Sequence, residues 1–281
     1  MNPPYNNSTG NKGTGNTLWD KFVIKTLNNL LIKDGYLVAV HPSGWRNVHG
    51  TYKNIQILLK NLQIQYLEIH NEKDGLKIFG ATTRYDFYCV KNTYNQGNFI
   101  TKIKCQGGFI ERANICKLEF IPNGMFSLLN KLIAKNDEQK VEVIHSESIY
   151  AHRKTHMLQE SKDNYILPCI YTIGKNDKIK LWFSSIKLGH FGVPKLIWSN
   201  GRIISVGSVI DNDGKYGLME YCSAIVDKSE NLSNIKKAFD SKLFRDLMEC
   251  CAISDMSINR RVIALFRKDF WVDFLDYNND D

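Results

Sequence analysis

Between residues 17 and 94 two kinds of apolar pattern take turns along the chain. That alternation constrains the fold more than any single motif does. Thr17 opens TLWDKFVIKTLNNLLIKDG, in which Leu18, Phe22, Leu27, Leu30 and Leu31 recur at helical spacing and Gly35 stands where a C-terminal glycine belongs. YLVAVHP follows, a short apolar run ended by Pro42, which reads as a buried strand. SGWRNVHG reads as a loop, TYKNIQILLKNLQ as a helix and IQYLEIH as a second strand. NEKDGLKIF reads as a short helix or turn leading into a third strand, TTRYDFYCVKN. Strands and helices alternating at this spacing predict an α/β layer with a largely parallel sheet.

After about residue 95 the pattern changes. NFITKIKCQ and KVEVIHS read as strands flanking a helix at FSLLNKLIAKN. YILPCIYTIG, KIKLWFSS, PKLIWSNGRIISVGS and YGLMEYCSAIV read as strand-like runs separated by turns, with Asn200-Gly201 as a hairpin turn. LSNIKKAFDSKLFRDLMECC and SINRRVIALFRKDFWVDF read as two closing helices. The break falls near residues 95–110, giving an α/β part over 1–100 and an α+β part over 101–281.

Hydrophobic residues make up 43% of the 281 and charged residues 23%, the balance of a globular chain. A net charge of +8 favours polyanionic partners, nucleic acid ahead of anionic membrane. No apolar run approaches the roughly 18–20 residues needed to cross a bilayer, and the N-terminal stretch is polar where a secretory leader is apolar. The seven cysteines are odd in number and form no CxxC pair. They predict reduced thiols in the cytoplasm, or in a host cytoplasm or nucleoid for a viral gene, rather than a disulfide frame or a zinc ribbon.

The chain opens Asn2-Pro3-Pro4-Tyr5. Two prolines fix two φ angles, so the tetrad can simply be a rigid turn. It can also hold an amino group for chemistry. An exocyclic amino nitrogen on an aromatic ring is a poor nucleophile, because its lone pair is delocalised into the ring. The Asn2 side-chain oxygen and the Pro3 carbonyl could accept its two hydrogens and favour a pyramidal nitrogen. Proline keeps that carbonyl in place, and Tyr5 offers a flat face for stacking.

Those residues, followed by LWDKFVIKTLNNLLIKDGYLVAVHPSGWR, resemble the catalytic part of N6-adenine DNA methyltransferases. More narrowly, residues 1–92 resemble the restriction–modification methylases whose target-recognition region is C-terminal. HFGVPKLIWSNGRII, YGLMEYCSAIV and the closing helices resemble that recognition region more loosely. The resemblance implies a partial Rossmann-like methyltransferase sheet followed by an α+β target-recognition domain. It implies methyl transfer from S-adenosyl-L-methionine to the N6 amino group of an adenine flipped out of double-stranded DNA. Asn2, Pro3, Pro4 and Tyr5 would be catalytic. Tyr5 would stack on one face of the base, and Phe79, in KIFGATTRYDFYCVK, on the other. The family carries a Gly-rich turn and a ribose-gripping acidic residue ahead of its tetrad, and neither precedes Asn2 here. The chain would then be the C-terminal portion of a longer or split enzyme, with double-stranded DNA and an upstream polypeptide that carries the cofactor-binding motifs as the expected partners.

Within GNKGTGNT the glycines Gly10, Gly13 and Gly15 read as a flap beside the substrate, with Lys12 in reach of a phosphate. The segment fits neither a phosphate-cradling nor a dinucleotide-binding pattern. Trp45 and Arg46 follow a predicted strand on the side where α/β sheets place ligands, and are candidates to contact DNA flanking the target. Lys195, Arg202, Arg260, Arg261, Arg267 and Lys268 are candidates for phosphate contacts. Arg260-Arg261 stand out, as adjacent cations where the field at a helix start disfavours them unless an anion is near. His145, Glu147, His152 and His156 lack metal-ligand spacing, so no metal is expected. Cys250-Cys251 read as core residues. Other functions open to such a chain are a catalytically inactive DNA-binding specificity module, a protein-glutamine methyltransferase using the same tetrad, and a nonfunctional remnant.

Overall fold

The computed structural model describes residues 1–6, 17–201, 203, 207–253 and 257–275. The chain forms two compact units, Met1–Ser127 with Ile253–Asp255, and Leu128–Ala252 with Met256–Asp281. It is a mixed α/β protein with three small sheets among its described residues.

In the first unit α1 (Trp19–Lys25) runs on into a π-helical turn over Thr26–Leu30, in which Leu31 N–H donates to Thr26 O at 2.9 Å. The left-handed residue before the next strand is Asp34, at φ 61°, not Gly35. Next come β1 (Tyr36–Pro42), α2 (Lys53–Lys60), β2 (Leu62–His70), α3 (Glu72–Phe79), β3 (Tyr85–Tyr94), β4 (Thr101–Lys104) and β5 (Ile110–Ala113). The helices and strands read from the apolar pattern over 17–94 are therefore present.

The five-stranded sheet has the order β1-β3-β2-β4-β5. β1 and β2 run the same way, joined through α2, but β3 inserts between them antiparallel to both. Only the β2–β4 pairing is parallel, so the largely parallel sheet expected from the sequence is corrected to a mixed one. α2 and α3 are both eight residues long, so helix length does not distinguish the parallel return of β2 from the antiparallel return of β3. Side chains alternate as a pleat requires: Leu37, Ala39, Leu67, Ile69, Tyr88 and Val90 are buried, while Tyr36 and Val38 of β1 are exposed. α2 packs on β2 and α1 on α2.

β4 pairs with β2 and β5 with β4, so residues 101–127 belong to the first unit. The boundary expected near residue 100 therefore moves to Ser127/Leu128, inside α4 (Phe126–Leu132). Strand pairing between distant segments decides this, and composition does not report it.

The second unit holds β6 (Glu142–His145), β7 (Met157–Leu158), β8 (Leu167–Ile173), β9 (Ile179–Ser184), β10 (Lys195–Ser199), β11 (Ser208–Asp211), β12 (Gly217–Leu218) and β13 (Cys222–Val226). They form two four-stranded sheets, β11-β10-β13-β6 and β12-β8-β9-β7. Every residue of β10 is buried. Ile170, Ile173, Ile197, Leu218, Cys222 and Ala224 make a shared core. α5 (Ser229–Asp240) packs on β10 and β11. The single helix expected over 232–251 is broken. Ser241 takes extended backbone and caps α6 (Lys242–Cys251) by accepting from Phe244 N–H at 3.2 Å. The last predicted helix reduces to α7 (Arg260–Ile263) and α8 (Val272–Leu275), because Phe266 and Arg267 form bridges with Ile133 and Lys140. Asn200-Gly201 is part of a connection from Ser199 to Ser208, not a two-residue hairpin. All seven cysteines are free thiols, with Cys251 buried and Cys250 half-buried.

Candidate functional site

The tetrad begins on the free edge of β1. Met1 donates its N–H to Val38 O at 2.5 Å, and Val40 N–H donates to Met1 O at 3.0 Å. Two bonds straddling Ala39 in this way are a parallel pairing. Residues 2–5 therefore leave the sheet in the direction in which β1 ends. The carboxyl side of such strands is where open α/β sheets hold ligands. Pro3 is buried, Asn2 and Pro4 are exposed, and Tyr5 is half-buried. The far end is tied down as well, because Leu18 N–H donates to Tyr5 O at 3.1 Å and Asn6 bridges Thr17. The tetrad is thus a short segment anchored at both ends, stiffened by two prolines, with the Asn2 side chain in solvent.

Phe79 reaches Tyr5 because α3 is set at both ends. Asn71 accepts from Lys73 N–H at 2.8 Å and Asp74 N–H at 3.0 Å, and the Asp74 carboxylate accepts from Asn71 N–H at 3.3 Å. Gly80 closes the helix at φ 66°. In its middle, a Cβ on Gly75 would lie 1.9 Å from the Thr83 carbonyl oxygen, so only glycine lets the helix sit this close to residues 81–83. Phe79, the last residue of α3, meets Tyr5 with ring centroids 5.8 Å apart at 65°, and Tyr85 at 4.9 Å and 87°. A flat guest stacked between Tyr5 and Phe79 needs about 7 Å, twice a roughly 3.5 Å contact. The two rings therefore cover each other here and must part to admit one. The Tyr5 hydroxyl is buried without a hydrogen-bond partner among the described residues, and burial, then Tyr85, raise its pKa.

Other sequence candidates lie elsewhere. Trp45 and Arg46 are buried, not on a DNA-facing loop. Trp45 Nε1 and Arg46 Nε both donate to Asp86 Oδ2 at 2.8 Å. Arg46 also donates to Ile121 O at 2.8 Å and Asn123 Oδ1 at 2.9 Å. Burial raises the Asp86 carboxyl even though Arg46 and Trp45 pull it down. Lys195 is buried too, its Nζ 2.6 Å from Asp211 Oδ2, and burial lowers its pKa. These three corrections share one cause: the groups were hydrophilic in sequence, but distant partners take up their hydrogen bonds inside the fold.

Lys12, Gly10, Gly13, Gly15 and Arg202 lie outside the described residues. Arg267 is committed to Asp269, Asp273 and Lys131 O. Arg260 and Arg261 stand at the start of α7, where the Asn259 side chain accepts from Arg261 N–H at 3.0 Å. Arg261 is exposed. Burial, then Arg261, lower the Arg260 pKa, and burial, then Arg260, lower that of His145. The Glu147 carboxylate, 3.8 Å from His145 Nε2, already opposes both shifts in part.

His152 pairs with Glu220 at 2.6 Å, while His156 Nε2 lies 3.0 Å from Ile149 O. Among the described residues no set of three or more His, Cys, Asp or Glu is placed to hold a metal ion. None of those residues forms a helix long and apolar enough to cross a membrane.

Sequence reasoning did not single out His70, Tyr85 or His41. His70 stacks on Tyr85 with centroids 4.3 Å apart at 6°, the two residues facing each other across β2 and β3. His41 is buried, stacked on Trp19 at 4.3 Å, with Nε2 3.0 Å from the Tyr88 hydroxyl, and burial lowers its pKa to about 4. The available signal was the facing of strand ends, which needs the sheet order first.

No protein-family model matches the chain, and no curated protein does. Solved structures similar to it include the type IIL restriction–modification enzyme MmeI in complex with DNA, at TM-score 0.49 and 9% identity over 87% of this chain and 40% of that one. Another is a chain of a type I R-M system, at TM-score 0.28 and 16% identity over 36% of this chain and 21% of that one. The chain thus spans less than half the length of either.

Proposed function

We propose that this chain holds and presents the acceptor in a site-specific N6-adenine DNA methyltransferase of the restriction–modification type. The observation that carries the reading is the anchored, proline-stiffened tetrad leaving the sheet beside the end of β1, with Asn2 exposed and Tyr5 against Phe79. In this reading the Asn2 side-chain oxygen and the Pro3 carbonyl accept the two N6 hydrogens of a flipped adenine. The nitrogen lone pair is then turned towards the methyl donor. Tyr5 and Phe79 part and take the base between them. Arg260 and Arg261 neutralise phosphates.

The methyl donor would be S-adenosyl-L-methionine. The described residues do not fit it as a site of their own: β1 is the edge strand, and no further strand beyond Met1 is present among them to enclose an adenosyl group. In this reading the described residues act on the acceptor, and the groups that hold the donor are not among them. Those groups would continue along the edge of β1 on which Met1 already pairs in parallel, beside Tyr36 and Val38, which are 61% and 42% exposed.

The test is transfer of labelled methyl groups to duplex DNA by the chain co-expressed with the coding sequence directly upstream. Methylation at adenine N6 is expected, and Asn2→Ala should lower it at least 100-fold while DNA binding is kept. Equal rates with and without Asn2 would end the catalytic reading. They would leave the catalytically inactive DNA-binding specificity module.

A further inference from the structure

The geometry points to His70 as the positioning residue for the base-stacking pair. This inference rests on the reading of Tyr5 and Phe79 given above. Phe79 touches Tyr5 on one side and the ring of Tyr85 on the other, at 4.9 Å and 87°. Tyr85 is in turn covered by the His70 ring, stacked nearly parallel at 4.3 Å and 6°. Facing positions on antiparallel strands bring side chains together in this way, so the stack is built by the register of β2 on β3.

Each ring nitrogen of His70 faces a carboxylate; a neutral ring can donate to one of them and a protonated ring to both. Nε2 lies 3.1 Å from Glu68 Oε1 and Nδ1 lies 3.3 Å from Asp74 Oδ2. Glu68 is itself fixed by Lys104 Nζ at 2.8 Å and the Tyr66 hydroxyl at 2.9 Å. Asp74 is the residue that caps the first turn of α3, and Phe79 ends the same helix. The helix is therefore tied to one His–Tyr stack at both ends, through Asp74 at its start and Phe79 at its finish. A tilt of α3 that moved Phe79 away from Tyr5 would have to pull Asp74 off His70 or slide Tyr85 over His70. His70 thus sets how far the Tyr5–Phe79 gap opens and at what angle. It touches neither ring of the pair, so it acts through Tyr85 and α3 and not on the base.

The test uses the full chain and a duplex oligonucleotide carrying one 2-aminopurine opposite an abasic site, which leaves the base free to swing out whatever the target sequence. Stacking quenches its fluorescence, and anisotropy of the same duplex reports total binding. The wild type should quench, and Tyr5→Ala and Phe79→Ala should abolish the quench. His70→Ala should weaken it about tenfold with anisotropy and melting temperature unchanged. His70→Phe, which keeps a flat ring on Tyr85, should recover at least half of the loss. Quenching by His70→Ala equal to wild type, with Phe79→Ala dead, overturns the role of His70 and leaves the proposed function standing. A loss in His70→Phe as large as in His70→Ala at unchanged melting temperature also overturns it, as does a loss that simply follows the melting temperature. No quench from the wild type, or none lost in Tyr5→Ala and Phe79→Ala, overturns the stacking pair itself and this inference with it.

Discussion

Asn2 and Arg46 both carry strong hydrogen-bonding groups at the carboxyl end of the same sheet, yet the fold treats them in opposite ways. Arg46 is buried and gives hydrogen bonds to Asp86, Ile121 and Asn123. Asn2 stands in solvent on a segment whose backbone is pinned at Met1 and Tyr5. A side chain whose bonds are already made inside holds structure together. One with capacity left, on a stiff support, is ready for a guest. Residue type does not separate the two, whereas saturation does.

The largest effect should come from breaking the saturated member. Arg46→Ala leaves the Asp86 carboxylate buried beside a cavity, and should cost the protein about 3–5 kcal/mol, read as a drop in the denaturation midpoint. Asn2→Ala should leave that midpoint within about 0.5 kcal/mol. A mild Arg46→Ala or a damaging Asn2→Ala would undo the contrast.

Next in size is acid sensitivity. His41 has its pKa lowered from 6.5 to about 4 in the fold. Above pH 6.5 neither folded nor unfolded protein binds the extra proton. As pH falls from 6.5 towards 4 the unfolded chain takes it up and the fold does not, so stability drops by up to about 3 kcal/mol. His41→Gln should flatten that stretch of the stability–pH curve. A third, smaller loss is expected from Gly75→Ala. The new Cβ meets Thr83 O, so α3 must shift, at a cost of about 1–3 kcal/mol. The same variant should misplace Phe79 and weaken 2-aminopurine quenching. The smallest effect sharpens the other unit: Arg260→Ala with Arg261→Ala should leave folding intact. It should lower the slope of log affinity against log salt by about 2, one for each phosphate that is no longer neutralised.

Much of this architecture could be read from residues 17–94, because period-3.6 and period-2 patterns are local and strong there. What failed was non-local. Nothing around Tyr85–Tyr94 announces that this strand inserts antiparallel between two others. Arg46 finds partners 40 to 77 residues away, so its burial was invisible in SGWRNVHG. Ser241 breaks a run with good helical spacing because its own hydroxyl offers a cap to the next helix. At the site, the tetrad was legible as a stiff corner with spare acceptors. The His70–Tyr85 stack was not, since two residues 15 positions apart become neighbours only once the register of β2 and β3 is fixed.

The pairing of Met1 with Val38 and Val40 has a practical consequence. Whatever is fused ahead of residue 1 is launched back along the rim of β1 towards Tyr36, competing for the same amides and carbonyls. A short β-forming peptide supplied in trans would compete for that same edge.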